Sequence, residues 1–155
     1  DAKQRSLAMN AKHYRALESM YLRAPINEIY PPQIEVSERE ATISIEVKPE
    51  YFHVMGAMHG SVYFKLLDDS AAFAVASIND QYPMVTVTFS IELSKPVSKG
   101  RVKATGRVVK VDGAKVYVES VMYDEEGSEI AKGNGMFLPL KTKLSDVEAY
   151  QLESV

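Results

Sequence analysis

Apolar residues follow a helical spacing at the start of the chain and an alternating spacing after it. Between residues 5 and 21 they recur every three or four positions, at Leu7, Ala11, Tyr14, Leu17 and Tyr21. This spacing predicts an amphipathic N-terminal helix. Prolines at positions 25, 31 and 32 interrupt the pattern. A strand is then predicted over residues 34–36, and another over residues 41–48, where apolar and polar residues alternate.

The segment from Ser61 to Ser77 has a different composition. Its charged residues are Lys65, Asp68 and Asp69, and helix formers and alanines dominate the rest. At about 100° per residue, its apolar side chains lie on nearly every side, which is typical of a helix surrounded by protein. The sequence therefore predicts a core helix here.

A strongly alternating segment follows this helix. Residues 85–93 alternate between apolar and polar side chains, which predicts a strand. Further strands are predicted over residues 101–111, 115–123 and 128–138. The pairs Asp112-Gly113 and Glu126-Gly127 lie between them and supply residues that accept the positive φ of tight hairpin turns. The second half of the chain is therefore predicted to be an antiparallel meander.

A long apolar helix followed by a meander restricts the possible folds. A flat sheet covers only one side of such a helix, so the sheet must curve around it. We therefore predict an α+β protein with the hotdog fold, in which a curved antiparallel sheet wraps around one long central helix, with an additional N-terminal helix. A generic α+β sandwich is the alternative. The predicted organisation is an N-terminal helix with a proline-rich connection (1–32), the hotdog domain (33–140) and a charged C-terminal tail (141–155), expected to form a short helix or stay mobile.

Length, charge and cysteine content narrow the class of protein. At 155 residues the chain is long enough for one domain with a core and too short for two of ordinary size. A net charge of −3 argues against nucleic acid as a partner. The absence of cysteine excludes disulfides, thiolate zinc sites and cysteine nucleophiles, and it fits a cytoplasmic protein. No apolar run approaches the roughly 18 residues of a membrane span, so no membrane partner is expected.

A His-Gly pair stands directly before the core helix. Gly60 has no Cβ, and the first amides of a helix have no partner within it, so a ligand can reach these N–H groups. A carbonyl oxygen bound there would be polarised by the amides and by the helix dipole. The alternative is an ordinary helix start with no ligand.

The two carboxylates of the core helix have different neighbours. Asp69 follows Lys65 by one turn, so a surface ion pair is expected. Asp68 lies between apolar positions on the helical wheel. A carboxylate in such surroundings must be paired, hydrogen-bonded or raised in pKa, which makes Asp68 a candidate general base or nucleophile. A purely structural role is the alternative.

The spacing of Gly60 and Asp68 bears on how they can act together. Eight residues separate them, which corresponds to about 12 Å along a helix. They therefore cannot act on the same carbonyl within one chain. A site that uses both requires Gly60 of one subunit to face Asp68 of another across a two-fold axis, which predicts a homodimer with two equivalent sites.

Other polar residues have two interpretations each. The hydroxyls of Thr86 and Thr88 project from the polar face of the strand after the helix and can position a water, although β-propensity alone also explains them. Seven basic residues lie between positions 95 and 115, with Asp112 as the one acid among them. A solvated sheet edge explains this run, and so does a cradle for the phosphates of an anionic ligand. His13, on the N-terminal helix, is expected at the surface.

The segment from His53 to Lys115 resembles the hotdog-fold acyl-CoA thioesterases of the phenylacetate-pathway and 4-hydroxybenzoyl-CoA type. The family pattern is an Asn, then His-Gly-Gly, a helical Asp nine residues after that His, a Ser or Thr on the next strand, and a Gly-centred hairpin. The corresponding residues here are His59-Gly60-Ser61, Asp68, Thr86 and Val111-Asp112-Gly113.

This resemblance implies hydrolysis of an acyl-CoA thioester without a metal or redox cofactor, in a homodimer or a dimer of dimers. It implies that Gly60 polarises the thioester carbonyl, that Asp68 is base or nucleophile, and that Thr86 assists the water. It also implies that the Ser94-Lys95 and Asp112 to Lys115 regions contact CoA. The candidate substrate-binding residues are His59, Ser61, Thr88, Ser94, Lys95, Val111, Asp112, Gly113 and Lys115.

Two positions depart from the family pattern. Ser61 replaces the second glycine, a mild change at a helix start. His53 stands where the family has Asn. An imidazole can donate or accept a hydrogen bond there, and it can also act as an acid or base near pH 7, so a catalytic role for His53 stays open.

Two other functions fit the same residues. Hotdog hydratases and dehydratases also combine a histidine before the helix with a carboxylate in it. A noncatalytic acyl-CoA-binding module would bind the thioester without cleaving it. The acyl group is not identified by the sequence, because the shape of its pocket depends on packing at the dimer interface.

Overall fold

The computed structural model describes residues 1–152, apart from the side chains of residues 6–9. In chain order its elements are α1 (Ala2–Leu22), α2 (Ile26–Ile29), β1 (Pro32–Ser37), β2 (Glu40–Glu46), α3 (Gly60–Ala76), β3 (Met84–Leu93), β4 (Arg101–Asp112), β5 (Lys115–Tyr123) and β6 (Glu129–Pro139). Each predicted helix and strand is present close to its predicted limits. Helix α2 and a 3-10 helix at Pro49–Tyr51 are additions, and a second 3-10 helix, Leu144–Asp146, is the short helix expected as one of two possibilities for the tail. No helix in this part of the chain is both long and apolar enough to cross a membrane.

The strands form one antiparallel sheet in the order β1-β2-β4-β5-β6-β3. The hairpin between β4 and β5 turns at Gly113 (φ 60°), and the hairpin between β5 and β6 turns at Gly127 (φ 85°). Both turns lie at the predicted Gly positions, where a residue without Cβ adopts a positive φ at little cost. The predicted meander is therefore present in β4, β5 and β6, whereas β3 pairs with β6 instead of β4 and lies outside it. Strands β1 and β3 are the edges of the sheet.

Helix α3 lies against this sheet and contacts all six strands, which requires the sheet to curve around it. Its side chains that face the sheet are fully buried, among them Leu66, Leu67, Ala71 and Val75. The arrangement agrees with the predicted hotdog: one long helix with an antiparallel sheet wrapped around it. Burial of this apolar helix contributes to both clusters of the hydrophobic core.

The contact between α3 and β4 is close enough to require glycine. A Cβ placed on Gly106 would collide with the carbonyl group of Ser70 and would lie 2.6 Å from the amide nitrogen of Ala71. The obstacle is helix backbone, which cannot move aside as a flexible side chain can. Gly106 therefore sets how closely α3 approaches the sheet.

The buried face of α1 agrees only in part with the predicted one. Ala11 is exposed, whereas His13, Leu17 and Tyr21 are buried. The side chain of Leu7, also predicted on the apolar face, lies outside the described residues. Leu17 and Tyr21 are therefore buried as predicted and Tyr14 is half-buried, whereas the buried residues His13 and Ala16 were not predicted on this face.

The expected surface position of His13 is wrong, since its side chain is only 5% exposed. Its Nε2 lies 2.8 Å from the carbonyl oxygen of Ala76, and its Nδ1 lies 2.7 Å from the hydroxyl of Tyr150. With a carbonyl at Nε2, that nitrogen carries the proton and Nδ1 accepts from Tyr150. Burial lowers the pKa of His13, which favours this neutral form. The contact holds the tail against the end of α3, so the tail is docked through Tyr150.

The two edge strands of the sheet, β1 and β3, have different neighbours. At β1, the Val36 N–H donates to Glu18 at 2.8 Å, and Arg15 donates to the Val36 carbonyl at 2.9 Å, so an ion pair of α1 takes the place of a neighbouring strand. In the described residues, no strand lies beside the outer edge of β3, where Val87 and Leu93 are each 49% exposed. An open edge of this kind can pair with another chain.

We expect Gly106→Ala to lower the free energy of unfolding by about 2 kcal/mol or more, because the added methyl group meets the backbone of α3. Lys103→Ala, on the same strand but with an exposed side chain, is the matched control and should change stability by less than about 0.5 kcal/mol. Chemical denaturation followed by circular dichroism measures both. Equal stability of the two variants would contradict the close approach.

Candidate active site

Asp68 meets strand β3 at the open edge of the sheet. The Thr86 hydroxyl donates to Asp68 Oδ1 at 2.8 Å. Asp68 is half-buried and Thr86 is exposed, so the carboxylate is hydrogen-bonded within the protein and is still partly exposed to solvent. The structure thus brings together two residues that lie eighteen positions apart in the chain.

A β-bulge turns Thr86 toward Asp68. The pairing of β3 with β6 shifts between Thr86 and Thr88, which leaves Val87 as an extra residue. Thr86 pairs with the core residue Phe137, whereas Thr88 pairs with Met136 on the opposite side of the sheet. The prediction that both hydroxyls project from one face is therefore wrong, because the bulge interrupts the two-residue alternation.

The surroundings of Asp68 make it a better base than an ordinary aspartate. Burial raises its pKa, and the adjacent Asp69 carboxylate acts in the same direction. The Thr86 hydrogen bond and the Lys65 charge lower it, without cancelling the effect of burial. A carboxylate with a raised pKa holds a proton more firmly, which suits a group that accepts one during a reaction.

Asp69 forms the predicted ion pair with Lys65, but this pair is not at the surface. The Lys65 Nζ lies 2.7 Å from Asp69 Oδ2, and the Lys65 side chain is 11% exposed. The Tyr21 hydroxyl donates to the same carboxylate oxygen at 2.6 Å. Helix α1 covers the pair, and sequence spacing within α3 contains no sign of that cover.

The first backbone amides of α3 differ in whether they have a hydrogen-bond acceptor. The Nδ1 of His59 accepts from the Ser61 amide at 3.0 Å and lies 2.8 Å from the Ser61 hydroxyl, and the Val62 amide donates to the His59 carbonyl. In the described chain, the Gly60 N–H has no such acceptor. His59 and Ser61 thus form the helix cap, and Gly60 presents the amide that is left for a ligand.

Three contacts join α3 to β3. Residues that come later in α3 meet residues that come earlier in β3. A Cβ on Gly60 would lie 3.3 Å from Leu93, the rings of Phe64 and Phe89 are 5.6 Å apart edge to face, and Asp68 meets Thr86. We call the surface formed by these six residues the α3–β3 face. Phe64 is 39% exposed in the single chain. Gly60 and Asp68 therefore open onto the same face at separate places.

His53 lies in the loop before α3, away from the Asp68 contact. Its Nδ1 accepts the Met55 amide at 3.1 Å, in a turn that Gly56 makes with φ 81°. No hydrogen bond joins His53 to Asp68 or Thr86 in the described chain. The turn leaves Val54 and Met55 almost fully exposed beside it.

The candidate residues for CoA lie at opposite ends of the sheet. Ser94 and Lys95 follow the end of β3, where Lys95 pairs with Asp124 at 3.1 Å. Val111, Asp112, Gly113 and Lys115 form the β4–β5 hairpin near the other end of β3. Residues 131–137 of β6 run between these ends, a distance of about 20 Å. Within one chain the two groups do not form one site.

One interpretation of the basic run between positions 95 and 115 was a solvated sheet edge. The structure does not agree with this interpretation. Arg101, Lys103 and Arg107 lie on β4, an internal strand, and alternate with buried residues, so they point away from α3. Arg107 pairs with Glu40 at 2.9 Å, and Arg101 donates to Ser44 at 3.1 Å. These side chains lie on the outer surface of the sheet, apart from the Asp68–Thr86 contact.

Comparison with known proteins identifies the family. Residues 55–131 match the family model described as the thioesterase superfamily. A protein of Sulfurisphaera tokodaii named "Putative esterase" is 30% identical over 97 residues, which cover 63% of this chain and 72% of that protein. The chain belongs to the thioesterase superfamily. A protein of Saccharolobus solfataricus, named in the same way, is 27% identical over 111 residues, or 72% of this chain and 79% of that protein. The predicted class, a thioester hydrolase, is confirmed at this level.

A solved structure supports the fold of this superfamily member. The E. coli PaaI protein from the phenylacetic acid degradation operon has a TM-score of 0.79 and covers 87% of this chain and 98% of its own. At 17% identity this likeness concerns the fold, and it confirms the predicted hotdog. The superfamily match includes Gly60, Asp68 and Thr86 but excludes α1 and α2.

We expect Thr86→Val to raise the pKa of Asp68, because the lost hydroxyl donates to the charged form of the carboxylate. Thr88→Val is the matched control and should leave that pKa unchanged, since the bulge places Thr88 on the other side of the sheet. A carbon-13 NMR titration of the aspartate carboxyl groups, with Asp68 assigned from Asp68→Asn, measures both. A rise in Thr88→Val instead of Thr86→Val would contradict the bulge.

Proposed function

We propose that the protein hydrolyses acyl-CoA thioesters to a free acid and CoA, with Asp68 as base or nucleophile. The observation that carries the proposal is the Asp68–Thr86 contact, in which the Thr86 hydroxyl donates to Asp68 Oδ1. Asp68 is half-buried, and this burial raises its pKa. The Gly60 amide, which has no acceptor in the described chain, is the proposed donor to the carbonyl oxygen.

Two routes use these groups. In the first, Asp68 takes a proton from a water that Thr86 helps to position, and the resulting hydroxide attacks the thioester carbon. In the second, an Asp68 oxygen attacks that carbon, and water then hydrolyses the anhydride formed. In both, negative charge on the carbonyl oxygen is stabilised by the Gly60 N–H, the C–S bond breaks, and the departing CoA thiolate takes up a proton. Asp68 returns to its carboxylate form.

The proposed site is shared between two subunits. Along α3 about 12 Å separates Gly60 from Asp68, so one chain cannot bring both to one carbonyl. Arg15 and Glu18 already occupy the β1 edge, and β3 is the edge left open. Antiparallel pairing of two β3 strands would bring the Leu93 end of one subunit beside the Thr86 end of the other. Gly60 would then face the carboxylate of the partner subunit.

The same pairing accounts for the separated CoA candidates. Ser94 and Lys95 of one subunit would lie near the β4–β5 hairpin of the other, so both groups can contact one CoA. We therefore propose a homodimer, alone or within a dimer of dimers, whose substrate is an acyl-CoA. The proposed reaction uses no metal or redox cofactor, since Asp68, water and the Gly60 amide supply its components. The cytoplasmic location stays a prediction.

We expect Asp68→Asn to lower kcat/KM for thiol release from acyl-CoAs by at least about 100-fold. Because burial raises the pKa of Asp68, its charged form opposes folding at neutral pH, and this variant should be at least as stable as the parent. Asp80→Asn, an exposed carboxylate beyond the end of α3, is the control and should retain activity. The measurement is thiol release over a panel of aromatic and aliphatic acyl-CoAs.

Three outcomes would contradict the proposal. Parental activity in folded Asp68→Asn would remove this carboxylate from the chemistry. Hydration of an enoyl-CoA without thiol release would instead identify a hydratase. Thermal stabilisation of the parent by acyl-CoAs without turnover would identify a binding module, since binding alone raises apparent stability.

The shared site predicts recovery of activity in mixed dimers. Gly60→Pro removes the proposed amide donor at the first helical position, where proline is tolerated, and Gly60→Ala is the control that keeps the N–H. Gly60→Pro and Asp68→Asn should each be inactive. After random reassortment, about half of the dimers combine both variants, and each of these has one intact site, so about a quarter of the parental activity should return. No recovery in verified mixed dimers would contradict a shared site.

A further inference from the structure

Helices α1 and α2 lie outside the superfamily match, yet both contact the helix that carries Asp68. Tyr21 of α1 is 5% exposed, and Asn27 of α2 is 4% exposed. The Tyr21 hydroxyl donates to Asp69 at 2.6 Å, and Lys65 donates to Asn27 Oδ1 at 2.7 Å. We call these four residues, Tyr21, Asn27, Lys65 and Asp69, the Lys65 cluster.

The hydrogen bonds of the Lys65 cluster leave its members little freedom. The Lys65 ammonium has three acceptors, namely Asp69 and Asn27 at 2.7 Å and the Tyr21 hydroxyl at 3.1 Å, which equals its number of N–H donors. Its charge also lies 5.1 Å from the ring centre of Tyr21 and 5.7 Å from that of Tyr30. The Asn27 side chain in turn donates to the Tyr21 carbonyl at 2.7 Å. The ion pair is therefore held in one geometry.

This ion pair adjoins the proposed catalytic carboxylate. Asp69 directly follows Asp68 in the chain, and Lys65 precedes Asp68 by three positions on the same helix. The charged groups that face Asp68 are these two, while β3 brings the Thr86 hydroxyl and α1 brings the Tyr21 hydroxyl. Because the two charges are opposite and close together, their effects on Asp68 largely offset each other as long as the pair stays closed.

We propose that the residues of the Lys65 cluster are positioning residues that hold a balanced charge pair beside Asp68, so that neither charge by itself displaces the pH range in which Asp68 acts. The proposal rests on the function proposed above for the role of Asp68. The N-terminal helices would thus contribute to the reaction without touching the substrate. Asp69 raises the pKa of Asp68 and Lys65 lowers it, which supports the proposed balance of the two charges.

Removing one charge at a time provides the test. Lys65→Met removes a cation, so the carboxylate should protonate more readily and the acid limb of the kcat/KM profile should move to higher pH by roughly 0.5 to 1 pH unit. Asp69→Asn removes an anion and should move the limb by a similar amount to lower pH. The double variant Lys65→Met with Asp69→Asn should return the limb close to its parental position.

The controls separate this effect from a loss of packing. Tyr21→Phe removes two hydrogen bonds of the cluster but no charge, and it should move the limb less than either charge variant. Arg107→Met breaks the exposed Arg107–Glu40 pair on the outer surface of the sheet and should not move the limb. A purely structural role would lower stability in both single-charge variants without opposite shifts. Movement in the same direction, or none in either, would overturn the proposal.

A second readout does not depend on turnover. The carboxyl carbon of Asp68, titrated by NMR in the parent, the two single-charge variants and the double variant, should show the same opposite order of midpoints. If Asp68→Asn keeps full activity while these midpoints move as expected, the proposed function fails and the charge pair still acts on Asp68. If Asp68→Asn is inactive but the midpoints coincide, the positioning role is overturned and the proposed function stands.

Discussion

Two adjacent carboxylates on a core helix constrain the arrangement of this protein. Neighbouring helical residues point about 100° apart, so Asp68 and Asp69 cannot share one environment. A carboxylate that loses water needs a hydrogen bond or an opposite charge. Asp69 has both from Lys65 and Tyr21, whereas among the described residues Asp68 has the single hydroxyl of Thr86. One carboxylate is therefore fully paired within the chain, and the other retains capacity to bind a further group.

Helix α1 contributes to the different environments of the two carboxylates and also contacts the β1 edge of the sheet. Its Tyr21 covers the ion pair next to Asp68, and its Arg15 and Glu18 bind the backbone carbonyl and N–H of Val36 at the outer edge of β1. The open edge of the sheet is then β3, the strand that carries Thr86. The surface available for pairing with a second copy and the candidate active site therefore coincide at the α3–β3 face.

Predictions from local sequence patterns were correct where the predicted feature depends on one helix, strand or turn. The glycines of the two hairpins and the apolar neighbours of Asp68 are properties of short segments, and the structure agrees with the predictions drawn from them. The failures involve contacts between distant segments. The bulge at Val87 arises from the pairing of β3 with β6, and the burial of His13 depends on Tyr150 at the other end of the chain.

The sequence by itself determined the helix and strand order and the turns, and it singled out Asp68 as the candidate base, because spacing and backbone preferences are local. It also indicated that Gly60 and Asp68 are too far apart to act within one chain. Only the tertiary structure decided which side of β3 each threonine faces, which amide of α3 stays open and how Lys65 is enclosed. These features depend on strand register and on helices packing against each other, and both are set by the balance of contacts over the whole chain.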